Sequence, residues 1–112
     1  MKIAKVKRGK VNILHLSGKM TIGEGDVMLR EEVRKLLDEG ETHFILDMLG
    51  VPFMDSASIG EVVACSKRAG EKKGLIKLVM KDRVHNLFTM TRLDRVFDIY
   101  DGVEDALAGF VT

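Results

Sequence analysis

Phe44-Ile45-Leu46-Asp47-Met48 is the run on which the reading of this chain turns. Four of its five residues are apolar and they do not alternate with polar ones, which suits a strand buried on both faces of a parallel sheet. Gly50-Val51-Pro52-Phe53-Met54 leads out of it, and Pro52, having no N–H, argues against continuing the ladder. Upstream, Leu29, Val33, Leu36 and Leu37 fall at i, i+4, i+7 and i+8, one stripe of a helix. Thr21 with Glu24 forms a possible capping box for that helix, Asp26 is a rival N-cap, and Gly40 is placed to stop it. Glu31, Glu32, Arg34, Lys35 and Asp38 fill the opposite, solvated face.

Further out the same alternation continues. Ile3 to Val6 and Val11 to Leu16, joined by Arg8-Gly9-Lys10 and closed by Ser17-Gly18, read as a β-hairpin. Downstream, Ile59, Val62, Val63 and Ser66 mark a second helix with Gly70 as its stop. Leu75 to Met80 reads as a third core strand. Asp82 opens a shorter helix with Val84, Leu87 and Phe88, and Val96 to Tyr100 is a last short strand. Asp101 with Glu104 opens a terminal helix bearing Val103, Ala106, Leu107 and Phe110. The order ββαβαβαβα predicts one α/β domain over residues 1–112. Its mixed sheet is mostly parallel, with an antiparallel edge hairpin and about four helices.

Composition agrees. In 112 residues, 46% are hydrophobic and 31% charged, enough to fill one core. Lys+Arg 18 against Asp+Glu 17 leaves +1, without the basic excess expected of a nucleic-acid binder. Single Cys65 excludes an internal disulfide and a multi-cysteine zinc site and fits a reducing compartment. No apolar run approaches the ~20 residues of a membrane span. The basic start Met1 to Arg8 has no apolar segment of a secretory signal, so a cytoplasmic domain is expected.

In open α/β sheets, function gathers at the carboxyl ends of the strands. The loop there that stands out is Phe53-Met54-Asp55-Ser56-Ala57-Ser58-Ile59-Gly60, after the central strand and at the start of the second helix. Asp55, Ser56, or Ser58 with Glu61 can each serve as its cap. Three such groups in four positions exceed what one cap needs. A hydroxyl held at a helix N-terminus is also suited to phosphorylation, because free N–H groups and the helix dipole stabilise the added anion. The loop Lys19 to Asp26 follows a strand and precedes a helix, so it falls at the same end. Met20, Thr21, Ile22, Gly23 and Gly25 in it are candidates for a docking surface, with Met20 tucked into the core as the plainer alternative.

These residues resemble the signature of STAS domains, and more narrowly that of bacterial anti-sigma factor antagonists. The resemblance rests on Phe44 to Met48, on Val51-Pro52-Phe53-Met54-Asp55-Ser56 and on Ile59-Gly60. It extends to the Gly18 turn, Leu29-Arg30, Leu36-Leu37, Gly40, Leu93-Asp94-Arg95-Val96-Phe97 and Asp105-Ala106-Leu107. It implies a non-enzymatic switch. A partner anti-sigma factor with serine kinase activity phosphorylates the serine after the signature aspartate, here Ser56 after Asp55. The unphosphorylated form binds that kinase and frees the sigma factor, and a phosphatase, of the PP2C type, resets the switch. The docking residues carried over or adjoining are Asp55, Ser56, Ala57, Ser58, Ile59, Gly60, Thr21 and Gly23. Many family members carry glycine where this chain has Ser58, which adds a second candidate hydroxyl. The resemblance also admits a STAS scaffold or transporter-associated regulatory subunit without a phosphoserine switch. The expected state is a monomer or weak dimer, bound neither to nucleic acid nor to membrane.

Other chemistries lack their residues. His15, His43 and His85 lie in different elements with no ligand-like spacing, and His43 with Asp47 at i+4 means little in a strand. Cys65 reads as a small packed residue. Met54 and Ser58 stand where a Gly-x-Ser-x-Gly elbow needs glycine, and Gly23-Glu24-Gly25 is only a fragment of a dinucleotide loop. No cofactor or metal is expected. Lys67, Arg68, Lys72, Lys73 and Lys77 read as a cluster that complements the end of the second helix.

Overall fold

A computed structural model describes residues 1–110. The strands are β1 (Lys2–Arg8), β2 (Val11–Ser17), β3 (His43–Gly50), β4 (Leu75–Val79) and β5 (Ile99–Tyr100). The helices are α1 (Gly25–Asp38), α2 (Ser56–Glu71), α3 (Asp82–Met90) and α4 (Val103–Ala108). The sheet runs β1-β2-β3-β4-β5, antiparallel between β1 and β2 and parallel thereafter. Strand order therefore grows in one direction. Crossovers of one hand in such a sheet place their helices on the same face.

That face holds the larger core. Leu14, Leu16, Phe44, Leu46, Ile76 and Leu78 of the sheet meet Leu29 and Val33 of α1, Val62 and Cys65 of α2, and Phe88 of α3. Among the described residues α4 is the one helix on the opposite face, where Val11, Ile13, Ile45 and Val79 pack around Ala106, with Tyr100 and Phe110 against them. Neighbours on β3 thus serve different cores: Phe44 and Ile45 are both fully buried, on opposite sides. The sequence expectation of a strand buried twice over is met.

Element ends depart from expectation in instructive ways. Gly40, at φ +91°, closes α1 as foreseen: its N–H bonds the Leu37 carbonyl and the Glu41 N–H bonds that of Leu36. Neither foreseen cap opens α1. Glu24 occupies the N-cap without a side-chain bond, and the Thr21 carbonyl accepts from the N–H groups of Glu24 and Gly25. Asp26 instead accepts from Gly23 and Val27. Gly70 does not stop α2. The helix runs on to Glu71, and Lys73 takes the left-handed position at φ +60°, with Lys73 N–H on the Gly70 carbonyl and Gly74 N–H on that of Ala69. The buried stripe of α2 is Ser58, Glu61, Val62, Cys65 and Ala69, with Ile59 and Val63 only partly buried, so its inward face is rotated from the one expected.

The last strand is shorter than Val96 to Tyr100, because Leu93–Arg95 forms a 3-10 turn and Val96 is exposed. Gly102, not Asp101, sits at the N-cap of α4. The expected basic cluster is split. Lys77 is buried on the α4 side, its Nζ 2.7 Å from Asp98 and 3.2 Å from the Tyr100 hydroxyl. Arg68 pairs with Glu61 instead.

Candidate functional site

Beyond the ends of β2 and β3 the two strand-to-helix loops stay joined. Gly18 N–H bonds the Gly50 carbonyl, Met20 N–H that of Phe53, and Asp55 N–H that of Met20. Met20 and Met54 form an isolated parallel bridge and are both buried. Met20 is therefore core, not docking surface. Ile22, two residues on, is 71% exposed.

Asp55 is the N-cap of α2 and ties these loops to it. One carboxylate oxygen accepts from Ser58 N–H at 2.9 Å, and the other from Ile22 N–H at 2.8 Å. The two N–H bonds, that from Ser58 first, hold its carboxyl below the usual carboxylate range, because they favour the charged form. The choice among three caps thus falls to Asp55. Ser58 donates its N–H there, so the Ser58–Glu61 box does not form.

Ser56, the first residue of α2, is exposed. The N–H groups of a helix's first turn have no intrahelical partner, and Asp55 satisfies only the third, that of Ser58. Ser58 is fully buried, and among the described residues its Oγ has no hydrogen-bond partner. Of the two hydroxyls, only that of Ser56 faces outward. Ala57 and Ile59 are half-buried and Gly60 is exposed; Thr21 is half-buried and Gly23 exposed. The structure brings Thr21, Ile22 and Gly23 beside Asp55 through its carboxylate on Ile22 and its N–H on the Met20 carbonyl.

Two pairings escaped the sequence. Glu61, 8% exposed on the inward stripe of α2, accepts from Arg68 Nη1 at 2.8 Å and lies 3.7 Å from Arg30 Nη1 of α1. Its only trace in the sequence is the i, i+7 spacing from Glu61 to Arg68. Beside it, burial first and the Glu61 carboxylate second push the Cys65 thiol up to about 12, so Cys65 is a packed thiol and not a nucleophile. His15 Nδ1 lies 2.6 Å from Asp47 Oδ2, because the parallel register sets these residues side by side. Among the described residues no cluster of three or more His, Cys, Asp or Glu could hold a metal ion, and no helix is long and apolar enough to cross a membrane.

A five-stranded sheet backed by three crossover helices, its loops gathered at the start of the second, is the plan of a STAS domain. The chain belongs to that family, whose profile matches residues 2–106. Its curated relatives include proteins named as anti-sigma factor antagonists. The anti-sigma F factor antagonist of Paenibacillus polymyxa is 28% identical over 99 residues, covering 87% of this chain and 84% of that one. The chain spans 66% of the length of the two curated Thermotoga relatives it matches. The crystal structure of a candidate anti-sigma factor antagonist from Thermotoga maritima superposes with a TM-score of 0.88 at 26% identity, covering 96% of this chain and 92% of that one. The anti-sigma factor antagonist SpoIIAA in its unphosphorylated form shares the fold, with a TM-score of 0.75 at 17% identity and coverage of 98% and 97%. SpoIIAA of Bacillus has also been solved in a phosphorylated form, at a TM-score of 0.76, 17% identity and coverage of 99% and 100%.

Proposed function

We propose that this chain is a cytoplasmic anti-sigma factor antagonist whose docking is switched by phosphorylation of Ser56. The unmodified form binds an anti-sigma factor serine kinase and so frees a sigma factor; a PP2C-type phosphatase restores it. The chain is the substrate and ligand in this scheme, and the kinase supplies the catalysis.

The observation that carries this reading is the outward hydroxyl of Ser56 at the first position of α2, beside the buried hydroxyl of Ser58. A kinase must reach its acceptor, and here one of two serines is reachable. The phosphate adds about −1.5 to −2 charges at neutral pH. It arrives beside the ionised Asp55, on the face where a partner would sit. Two like-charged groups then confront any acidic partner surface. The helix itself tolerates the anion, since its first N–H groups are free and its dipole is positive there. The switch is thus a change of surface charge and not of fold. A hundredfold loss of affinity needs about 2.7 kcal/mol, within what one desolvated charge contact supplies.

The test is incubation with Mg-ATP and the purified anti-sigma factor kinase, followed by peptide mass spectrometry and titration calorimetry. One phosphate on Ser56 is expected, with none on Ser56→Ala. Ser56→Asp should keep the wild-type circular dichroism and bind the kinase about a hundredfold more weakly. An unmodified wild-type chain, or a Ser56→Asp variant that binds as tightly, would remove the switch and leave a STAS scaffold.

A further inference from the structure

Resting on the reading above, in which a protein partner docks over Ser56, we infer that a crevice next to the switch loop is a second subsite for that partner. It receives a segment in which an apolar side chain stands beside a carboxylate. The crevice encloses about 340 Å³ where the end of β3 and the segment after it face the start of α3. Val51 and Val84, 4% and 3% exposed, supply its apolar lining, and Leu49, 49% exposed, continues it outward. Lys81 and Arg83 line it from the α3 side. Both are exposed, and among the described residues neither joins an ion pair. Asp82 between them offsets one of the two charges and leaves the rim positive.

Three features tie this crevice to the switch and define its occupant. Pro52 lines it, and Ser56 lies four residues further on, at most about 14 Å along an extended chain. An ordinary interface covers about 800 Å² on each side, or about 28 Å across, so a partner seated over Ser56 is wide enough to reach the crevice. Of the seven large apolar side chains exposed among the described residues, Ile22, Leu49 and Phe53 belong to this end of the sheet. Exposed apolar side chains near a docking site suit the centre of an interface, with charges at its rim. Finally, unpaired cations beside an apolar lining call for an acidic partner. That is also the partner a phosphate on Ser56 would repel. One acidic surface accounts for both attraction at Lys81 and Arg83 and rejection at phospho-Ser56.

Titration calorimetry against the purified anti-sigma factor kinase, at low and high salt, tests this. Lys81→Glu with Arg83→Glu should weaken binding about tenfold or more and flatten its salt dependence; Lys81→Gln with Arg83→Gln should give an intermediate loss. Leu49→Ser should weaken binding without changing the salt dependence. Lys67→Glu with Lys72→Glu makes the same charge change around the far end of α2 and should leave affinity unchanged. Thermal melts establish that each variant is folded. Wild-type affinity in the Lys81/Arg83 double reversal, or an equal loss in the far-end control, overturns the subsite while the Ser56 switch stands. A wild-type chain that does not bind the kinase removes the proposed function, and the subsite with it.

Discussion

Asp55 does two jobs with one carboxylate: it caps α2 through Ser58 N–H and holds the neighbouring loop through Ile22 N–H. Asp55→Ala would leave both donors to water and untie Thr21, Ile22 and Gly23 from the switch. We expect a lower Tm and faster amide exchange at Ile22 and Ser58, read by hydrogen exchange. The pH dependence has a definite sign. The folded carboxyl titrates below its ordinary value. Its contribution is therefore complete above the unfolded value of about 4 and is lost as pH falls through the lowered folded one. The gap in Tm between wild type and Asp55→Ala should close on acidification. Much of this was legible, because small polar residues crowded before an apolar helical pattern announce a cap. Which of them caps was not. The bond to Ile22 spans 33 residues and depends on two loops meeting in space.

At the scale of elements, repeating stripes were easier to read than ends. Leu29, Val33, Leu36 and Leu37 are buried as their spacing requires. Gly40 ends α1 because a left-handed position follows directly on the stripe. Gly70 misled, since the inward face of α2 reaches Ala69 and the helix keeps its register beyond it. Lys73 then occupies the left-handed position at φ +60°, where an L side chain is strained. Lys73→Gly should stabilise the protein by about 0.5–1 kcal/mol, measured by urea unfolding. The adjacent Gly74 cannot be exchanged so freely, because a Cβ there would collide with the Thr42 carbonyl oxygen. Side-chain pairs such as His15 with Asp47 were hidden for another reason: parallel register is set by crossovers, not by local sequence.

The whole molecule is a sheet with a thick side and a thin side. Three helices back one face, while the six-residue α4 covers the other. Both faces share β3, so they should unfold together. Phe44→Ala should cost about 3–5 kcal/mol and Ile45→Ala about 2–5 kcal/mol. In urea, far-UV circular dichroism and the fluorescence of Tyr100, which packs on the thin side, should report one common midpoint for each variant. Two separate midpoints would mean that the thin side unfolds independently. The strand order also leaves β1 on the outside of the sheet. Lys2, Lys5, Lys7 and Arg8 stud that border, and three of them clasp acids elsewhere: Lys5 on Glu32, Lys7 on Glu41 and Arg8 on Glu104. A stray strand seeking to zip onto this margin would have to strip water from a row of ammonium and guanidinium groups. The seam most open to amyloid-like stacking is thus fenced by cations.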